Sequence, residues 1–169
     1  MAVPKYRTSK SEKGLRRSHH ALVATLKNLM PSTSTIISAS AGITLTALRD
    51  ALQADHPIVR AMPNVNVAVG ASLTALCSAD EEARALAGRI FDQVGTTLCL
   101  GDEQQMDAAT ALGASAPAFV AIIAEALADG GVLAGMPRAQ SWRMALEVLR
   151  GTATHLIARD LEPGVLKNM

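Results

Sequence analysis

The alternation of apolar and polar positions changes character near Ala21, and that change divides the chain before any motif is considered. Residues 1–20 are charged and polar with no persistent apolar face, so they read as a flexible arm, helical only on a partner. Leu22, Leu26 and Leu29 then recur at helical spacing ahead of Pro31, which predicts a short helix stopped before a turn. Thr35-Ile36-Ile37-Ser38 is a β-branched run suited to a buried strand. Ser40 to Thr44 is a small-residue turn, and Leu45, Leu48 and Leu52 give a helical stripe that ends near His56-Pro57. Ile58 to Met62 reads as a second strand. Strand, helix and strand in this order make a βαβ unit, whose crossover implies a parallel pair, although two strands do not form a stable parallel sheet by themselves.

Further along, Ser72–Cys77 and Thr96–Leu100 are short apolar runs flanking a helix from about Ala79 to Val94, and everything after Asp102 reads as helix. Ala118 to Ala128 is apolar on every face except at Glu125, so this helix should be buried either in a core or across a subunit boundary. Trp142, Leu146, Leu149, Ala153 and Leu156 recur at intervals of four, three, four and three, which predicts a last helix with one solvated side. The expected fold class is therefore α/β, mainly helical: a remnant parallel βαβ unit, then a helical region, with a basic arm in front.

Composition agrees with helices, since 49% of the 169 residues are hydrophobic but only 2% are aromatic, leaving Ala, Leu, Val, Ile and Met to fill a core. The net charge of +1 conceals a split. Seven Lys or Arg stand before Pro31 (Lys5, Arg7, Lys10, Lys13, Arg16, Arg17 and Lys27) against Glu12 alone, while the remainder is mildly acidic. A basic arm on an enzyme-like body fits this better than a surface devoted to nucleic acid. Cys77 and Cys99 are isolated, without the spacing of a metal site, and read as reduced thiols; His19 and His20 lack further ligands nearby and read as arm residues. No secretory-type apolar run follows the basic start and no uninterrupted apolar stretch reaches membrane length, so the expectation is a soluble cytoplasmic protein without a membrane partner.

The candidate chemistry lies at Met62-Pro63-Asn64, which arrives at the carboxyl end of a predicted parallel strand, where open α/β sheets bind ligands. Taken by itself it is equally a strand-terminating turn, since Pro followed by Asn is ordinary turn chemistry. Six blocks carry more information: Ile37-Ser38-Ala39-Ser40-Ala41-Gly42-Ile43, Arg60-Ala61-Met62-Pro63-Asn64, Val69 to Cys77, Met106 to Leu112, Ser115-Ala116-Pro117-Ala118-Phe119 and Glu125 to Val132. In order and spacing they resemble pyrroline-5-carboxylate reductase. The resemblance implies NADPH- or NADH-dependent reduction of a cyclic imine to proline, by a Rossmann domain followed by a helical domain that forms the dimer. It divides this chain into an arm (1–20), a Rossmann-type remnant (21–64) and a helical dimerisation and substrate domain (65–169). It also implies that Met62, Pro63 and Asn64 face the cofactor, that Ser115 and Pro117 open the dimer helix at the substrate, and that Asp160 falls on an acidic position where the family has Glu. Asp160 is equally readable as a solvated charge at a helix end.

Against the family's pattern, no GxGxxG turn occurs, and Met169 falls before the place where the family has a Ser-Pro-Gly-Gly loop. The expectation is thus a fragment without catalysis of its own and with NADPH or NADH binding lost, pairing with itself or with a full-length reductase. Gly113-Ala114-Ser115-Ala116-Pro117 stands where the family has Ser-Gly-Ser-Gly-Pro, so Ala114 and Ala116 are expected to strain or reshape a loop that favours Gly. The arm has its own resemblance: Met1 to Lys5, Thr8 to Ser11 and Arg16 to Leu22 are similar to the start of the zinc-ribbon protein numbered thirty-two of the bacterial large ribosomal subunit. That similarity implies contacts from Lys5, Arg7, Lys10, Arg16 and Arg17 to ribosomal RNA phosphates.

Overall fold

A computed structural model describes residues 30–31, 33–52 and 55–169. The predicted helix at Leu22–Leu29, His19, His20 and the arm residues Lys5, Arg7, Lys10, Arg16 and Arg17 lie outside the described residues. The rest falls into two compact units that divide after Ser115.

The first unit is a four-stranded sheet with strands in sequence order: β1 (Ile36–Ser38), β2 (Ile58–Met62), β3 (Ser72–Cys77) and β4 (Gly95–Cys99). Helix α1 (Leu45–Leu52) connects β1 to β2, and helix α2 (Glu81–Phe91) connects β3 to β4. Each of these pairs is parallel, as a helical crossover requires. At the centre of the sheet, where the sequence carried no expectation of strand direction, β2 and β3 run antiparallel, with Arg60 opposite Cys77 and Met62 opposite Ala75. Only a short 3₁₀ turn (Val65–Val69) separates them, which is too little chain for a crossover, so the second βαβ unit inverts against the first and completes the sheet.

Every residue of β2 is buried, which marks a central strand covered on both faces. Val59 and Ala61 point to one side and pack with Leu76, Ala83 and Ala87, the last two from α2. On the opposite face Ile58 meets Leu48 and Leu52 of α1, while Met62 packs with Ala75, Cys77 and Met106. The start of α2 is fixed locally: Asp80 Oδ1 accepts the Ala83 amide at 2.8 Å, and Glu81 and Glu82 place negative charge at the positive end of the helix. After β4 come α3 (Gln105–Ala109) and a π-helical turn (Thr110–Ser115).

The second unit consists of α4 (Ala116–Leu133), α5 (Arg138–Arg159) and the short α6 (Pro163–Lys167). The apolar stripe of the last long helix does not line its seam with α4 in the single chain. The residues that bury are Ser141 and Ala145, against Ala124 and Ala128 of α4, whereas Trp142 and Leu146 remain exposed. The reason is steric: Ser141 Oγ donates to the Ala128 carbonyl at 2.6 Å, and a Cβ on Gly131 would stand 2.1 Å from that same Oγ. Helices this close admit only small side chains in the seam, so the large apolar ones turn outward. Phe119, Val120, Ile122 and Ile123 of α4 accordingly lie on the surface of the isolated chain, half or more exposed. By length and composition the helical run Gln105–Leu133 is sufficient to cross a bilayer, but the same composition suits a helix covered by another protein surface.

One close approach is decisive in the sheet. A Cβ on Gly95 would stand 2.0 Å from the Ser72 carbonyl oxygen, a backbone atom that cannot move without breaking the β3–β4 register. Gly95→Ala is expected to destabilise the first unit by about 3 kcal/mol or more, measured by urea denaturation; a loss below about 1 kcal/mol would mean that β4 does not pair as described.

Candidate functional site

The carboxyl ends of β1 and β2 lie side by side, because the strands are parallel neighbours with Ser38 opposite Arg60. The turns leaving them therefore form one edge. After β1 the chain reverses at Gly42, whose φ of 72° favours glycine, and Thr44 Oγ1 accepts the Ala47 amide at 3.1 Å to begin α1. After β2 it reaches Pro63 and Asn64, both half-buried, while the Met62 side chain belongs to the core. Of the three residues expected to face a cofactor, Met62 thus packs internally and Pro63 and Asn64 reach the edge.

Asn64 is fully engaged within the unit. Its Oδ1 accepts the Asn66 amide at 3.0 Å, its Nδ2 donates to the Gly113 carbonyl at 3.0 Å, and its own amide donates to Ser72 Oγ at 3.2 Å. It caps the 3₁₀ turn, which ends at Gly70 in the left-handed region with φ 68°. Val65 and Val69 of this turn are exposed at 74% and 78%, giving the edge an apolar lip.

Below the edge sits an ion pair that sequence reasoning did not single out. Arg60 is 4% exposed, and its Nη1 donates to Glu103 Oε1 at 2.7 Å. The same oxygen accepts the Leu45 amide, also at 2.7 Å, at the first turn of α1. Glu103 therefore neutralises a buried guanidinium and caps a helix with one atom. Arg60 Nε, also buried, has no hydrogen-bond partner among the described residues. An arginine inside an otherwise apolar strand was the available signal, since a charge there demands a partner. The Cys77 thiol beside it is pushed to a higher pKa, first by burial and then by the Glu103 carboxylate. Cys99 is exposed.

Ser115 ends the π-helical turn and is exposed. Of the two effects expected at Ala114 and Ala116, strain or a reshaped loop, strain does not arise. Among the described non-glycine residues only Asp160 has positive φ, so both alanines sit in right-handed helical backbone, and Ala114 packs against the cluster around Met62. Helix in place of an open loop removes the need for glycine.

In the second unit, Pro117 is the second residue of α4. Asp160 caps the end of α5 with φ 47° and ψ 49°, exposed, with the Leu161 amide closing back to the Leu156 carbonyl at 3.1 Å. A carboxylate there opposes the helix dipole, and the left-handed backbone suits Gly better than Asp. An open groove of about 650 Å³, lined by Ala121, Ile122, Trp142, Glu125 and Arg138, runs along the α4–α5 face. Arg138 pairs with Asp129 at its margin. No cluster of three or more potential metal ligands occurs among the described residues.

The class defined by these features is an α/β unit with a half-exposed carboxyl edge, followed in sequence by a helical unit with an uncovered apolar face. Residues 103–169 match the family model described as pyrroline-5-carboxylate reductase dimerisation, and residues 2–31 match that of the ribosomal L32p protein family. The chain is 40% identical over 136 residues to the pyrroline-5-carboxylate reductase of Synechocystis, covering 79% of this chain and 50% of that protein. For the enzyme of Methanosarcina acetivorans the identity is 36% over 152 residues, covering 88% and 56% respectively. Among solved structures, the reductase of Coxiella burnetii superposes with a TM-score of 0.83 at 25% identity, over 90% of this chain and 58% of that one. The Plasmodium falciparum pyrroline carboxylate reductase with NADP bound gives 0.80 at 26%, over 90% and 62%. The chain spans about half the length of the curated relatives it matches, and over that span it carries a portion of the pyrroline-5-carboxylate reductase family's sequence and fold.

Removing Glu103 leaves Arg60 buried without a counter-charge, so Glu103→Ala is expected to cost about 3 kcal/mol, read by chemical denaturation. The double variant Arg60→Met/Glu103→Ala should recover a large part of that loss. Equal losses in the single and double variants would show that the pair is not what holds this junction.

Proposed function

We propose that the chain provides one wall of a nucleotide site and the subunit-pairing helices of an NADPH- or NADH-dependent reductase that converts 1-pyrroline-5-carboxylate to proline. The observation that carries this reading is the Pro63-Asn64 turn, half-exposed at the carboxyl end of a parallel strand with an apolar lip beside it. In such a reaction the reduced nicotinamide supplies a hydride to the imine carbon. This chain's residues fit one wall for it: Pro63 and the exposed valines offer apolar surface and shield the transfer from water, while Asn64 holds the turn. Ser115, Pro117 and Asp160 are the residues assigned to the substrate. A glycine-rich turn, through which a backbone approaches a pyrophosphate, is not among these 169 residues.

The 169-residue polypeptide by itself is therefore read as a pairing and edge-forming piece with weakened nucleotide binding rather than a self-sufficient catalyst. The exposed apolar residues of α4 and α5 favour a second copy as partner, and a full-length reductase would use the same surface. The cytoplasm is the compartment that suits these roles. For the arm, the match to a ribosomal protein family over residues 2–31 favours contact with RNA phosphates through Lys5, Arg7, Lys10, Arg16 and Arg17.

Purified chain mixed with the cyclic imine and NADPH is expected to show no NADPH oxidation above the uncatalysed rate. Turnover on the order of 10 per second, ordinary for an enzyme, would refute the reading of a dependent piece. NADPH binding should be measurable by fluorescence only weakly, in the range of about 1 mM; micromolar binding would show that the wall described here is more than half a site.

A further inference from the structure

Asn64 stands where a ligand-contacting residue was expected, yet its polar atoms point inward. The assignment of its amide is fixed by its neighbours: the Asn66 N–H can only donate, so Oδ1 faces it, and the Gly113 carbonyl can only accept, so Nδ2 faces that. The Gly113 carbonyl belongs to the π-helical turn Thr110–Ser115, a wide turn that is rare in proteins and clusters at functional sites. Thr110 Oγ1 also donates to the Met106 carbonyl at 2.7 Å, so side chains hold the turn at its start and at Gly113 in its interior.

We propose that Asn64 is a positioning residue: its side-chain amide clamps the π-helical turn through the Gly113 carbonyl and so fixes the backbone that presents Ser115. The inference deepens the functional reading above, on which the role of Ser115 rests, but the clamp is a property of the first unit and is tested without activity. It replaces cofactor contact by the Asn64 side chain with a mechanical link between two loops separated by 49 residues in sequence. Any ligand seated against Pro63 would then be coupled to the geometry of Ser115.

Two variants of the 169-residue chain, followed by amide hydrogen exchange in NMR spectra, decide it. In Asn64→Ala the amides from Ala114 to Ala116 should exchange about tenfold faster than in the parent, the size of one lost hydrogen bond. In Asn64→Asp the carboxylate keeps the acceptor for Asn66 at every pH but cannot donate to Gly113 until it is protonated. Protection at Ala114–Ala116, corrected for intrinsic rates, should therefore be near the parent's at low pH and fall as pH rises through the carboxyl titration. The parent should show no such transition. A role confined to capping the 3₁₀ turn would give no pH dependence in Asn64→Asp, and that result, or unchanged exchange in Asn64→Ala, overturns the proposal. Because Asn64→Asp is compared with itself across pH, general loss of stability does not imitate the signal. A chain that fails to bind NADPH would remove the functional reading while leaving this outcome intact.

Discussion

A single carboxylate oxygen, Glu103 Oε1, accepts both the buried Arg60 guanidinium and the Leu45 amide, and the arrangement of the first unit depends on that junction. Arg60 occupies the middle of a strand whose neighbours are apolar on both faces, so its charge is tolerable there only if it is neutralised in place. Glu103 supplies the counter-charge from a segment far along the chain, and in doing so joins the turn after β1, the strand β2 and the approach to α3. From there the constraint passes to the edge. α3 runs into the π-helical turn, and Asn64 ties that turn back to the end of β2. Two side chains, one charged and buried and one polar and half-buried, thus hold three connecting segments along one margin of the sheet.

The second unit solves a different problem. Its two long helices approach through Ala124, Ala128, Gly131, Ser141 and Ala145, a seam of small residues that buries little apolar area for its length. The larger apolar side chains are displaced outward, leaving a surface that a stable soluble chain would cover. The match of residues 103–169 to a dimerisation family gives that surface its most direct meaning.

Much of the fold was legible in the sequence, and for identifiable reasons. The β-branched run at Ile36–Ser38, the stripe Leu45–Leu48–Leu52 and the segment Ile58–Met62 gave a βαβ unit whose strands do pair in parallel. Local periodicity says nothing about the direction in which a short connection sends the next strand, so the antiparallel β2–β3 pairing was not available. The face of α5 that meets α4 was not legible, because close helix contact selects small residues rather than the large apolar ones whose spacing is conspicuous. At the edge, Pro63-Asn64 was identifiable from turn chemistry and position. The inward engagement of Asn64 was not, because its partner Gly113 is remote in sequence, and Glu103 looked like one acidic residue among several. Ala114 and Ala116 were expected to strain or reshape a loop, and the segment is unstrained helix.

Whether the outward apolar faces of α4 and α5 meet another subunit, as proposed, is read from the solution mass of the 169-residue chain by sedimentation equilibrium at micromolar concentration. Pairing through that face gives twice the chain mass, reverting to one chain when Ile123→Glu places a charge in it. A stable, well-dispersed monomer across the same concentrations would contradict it.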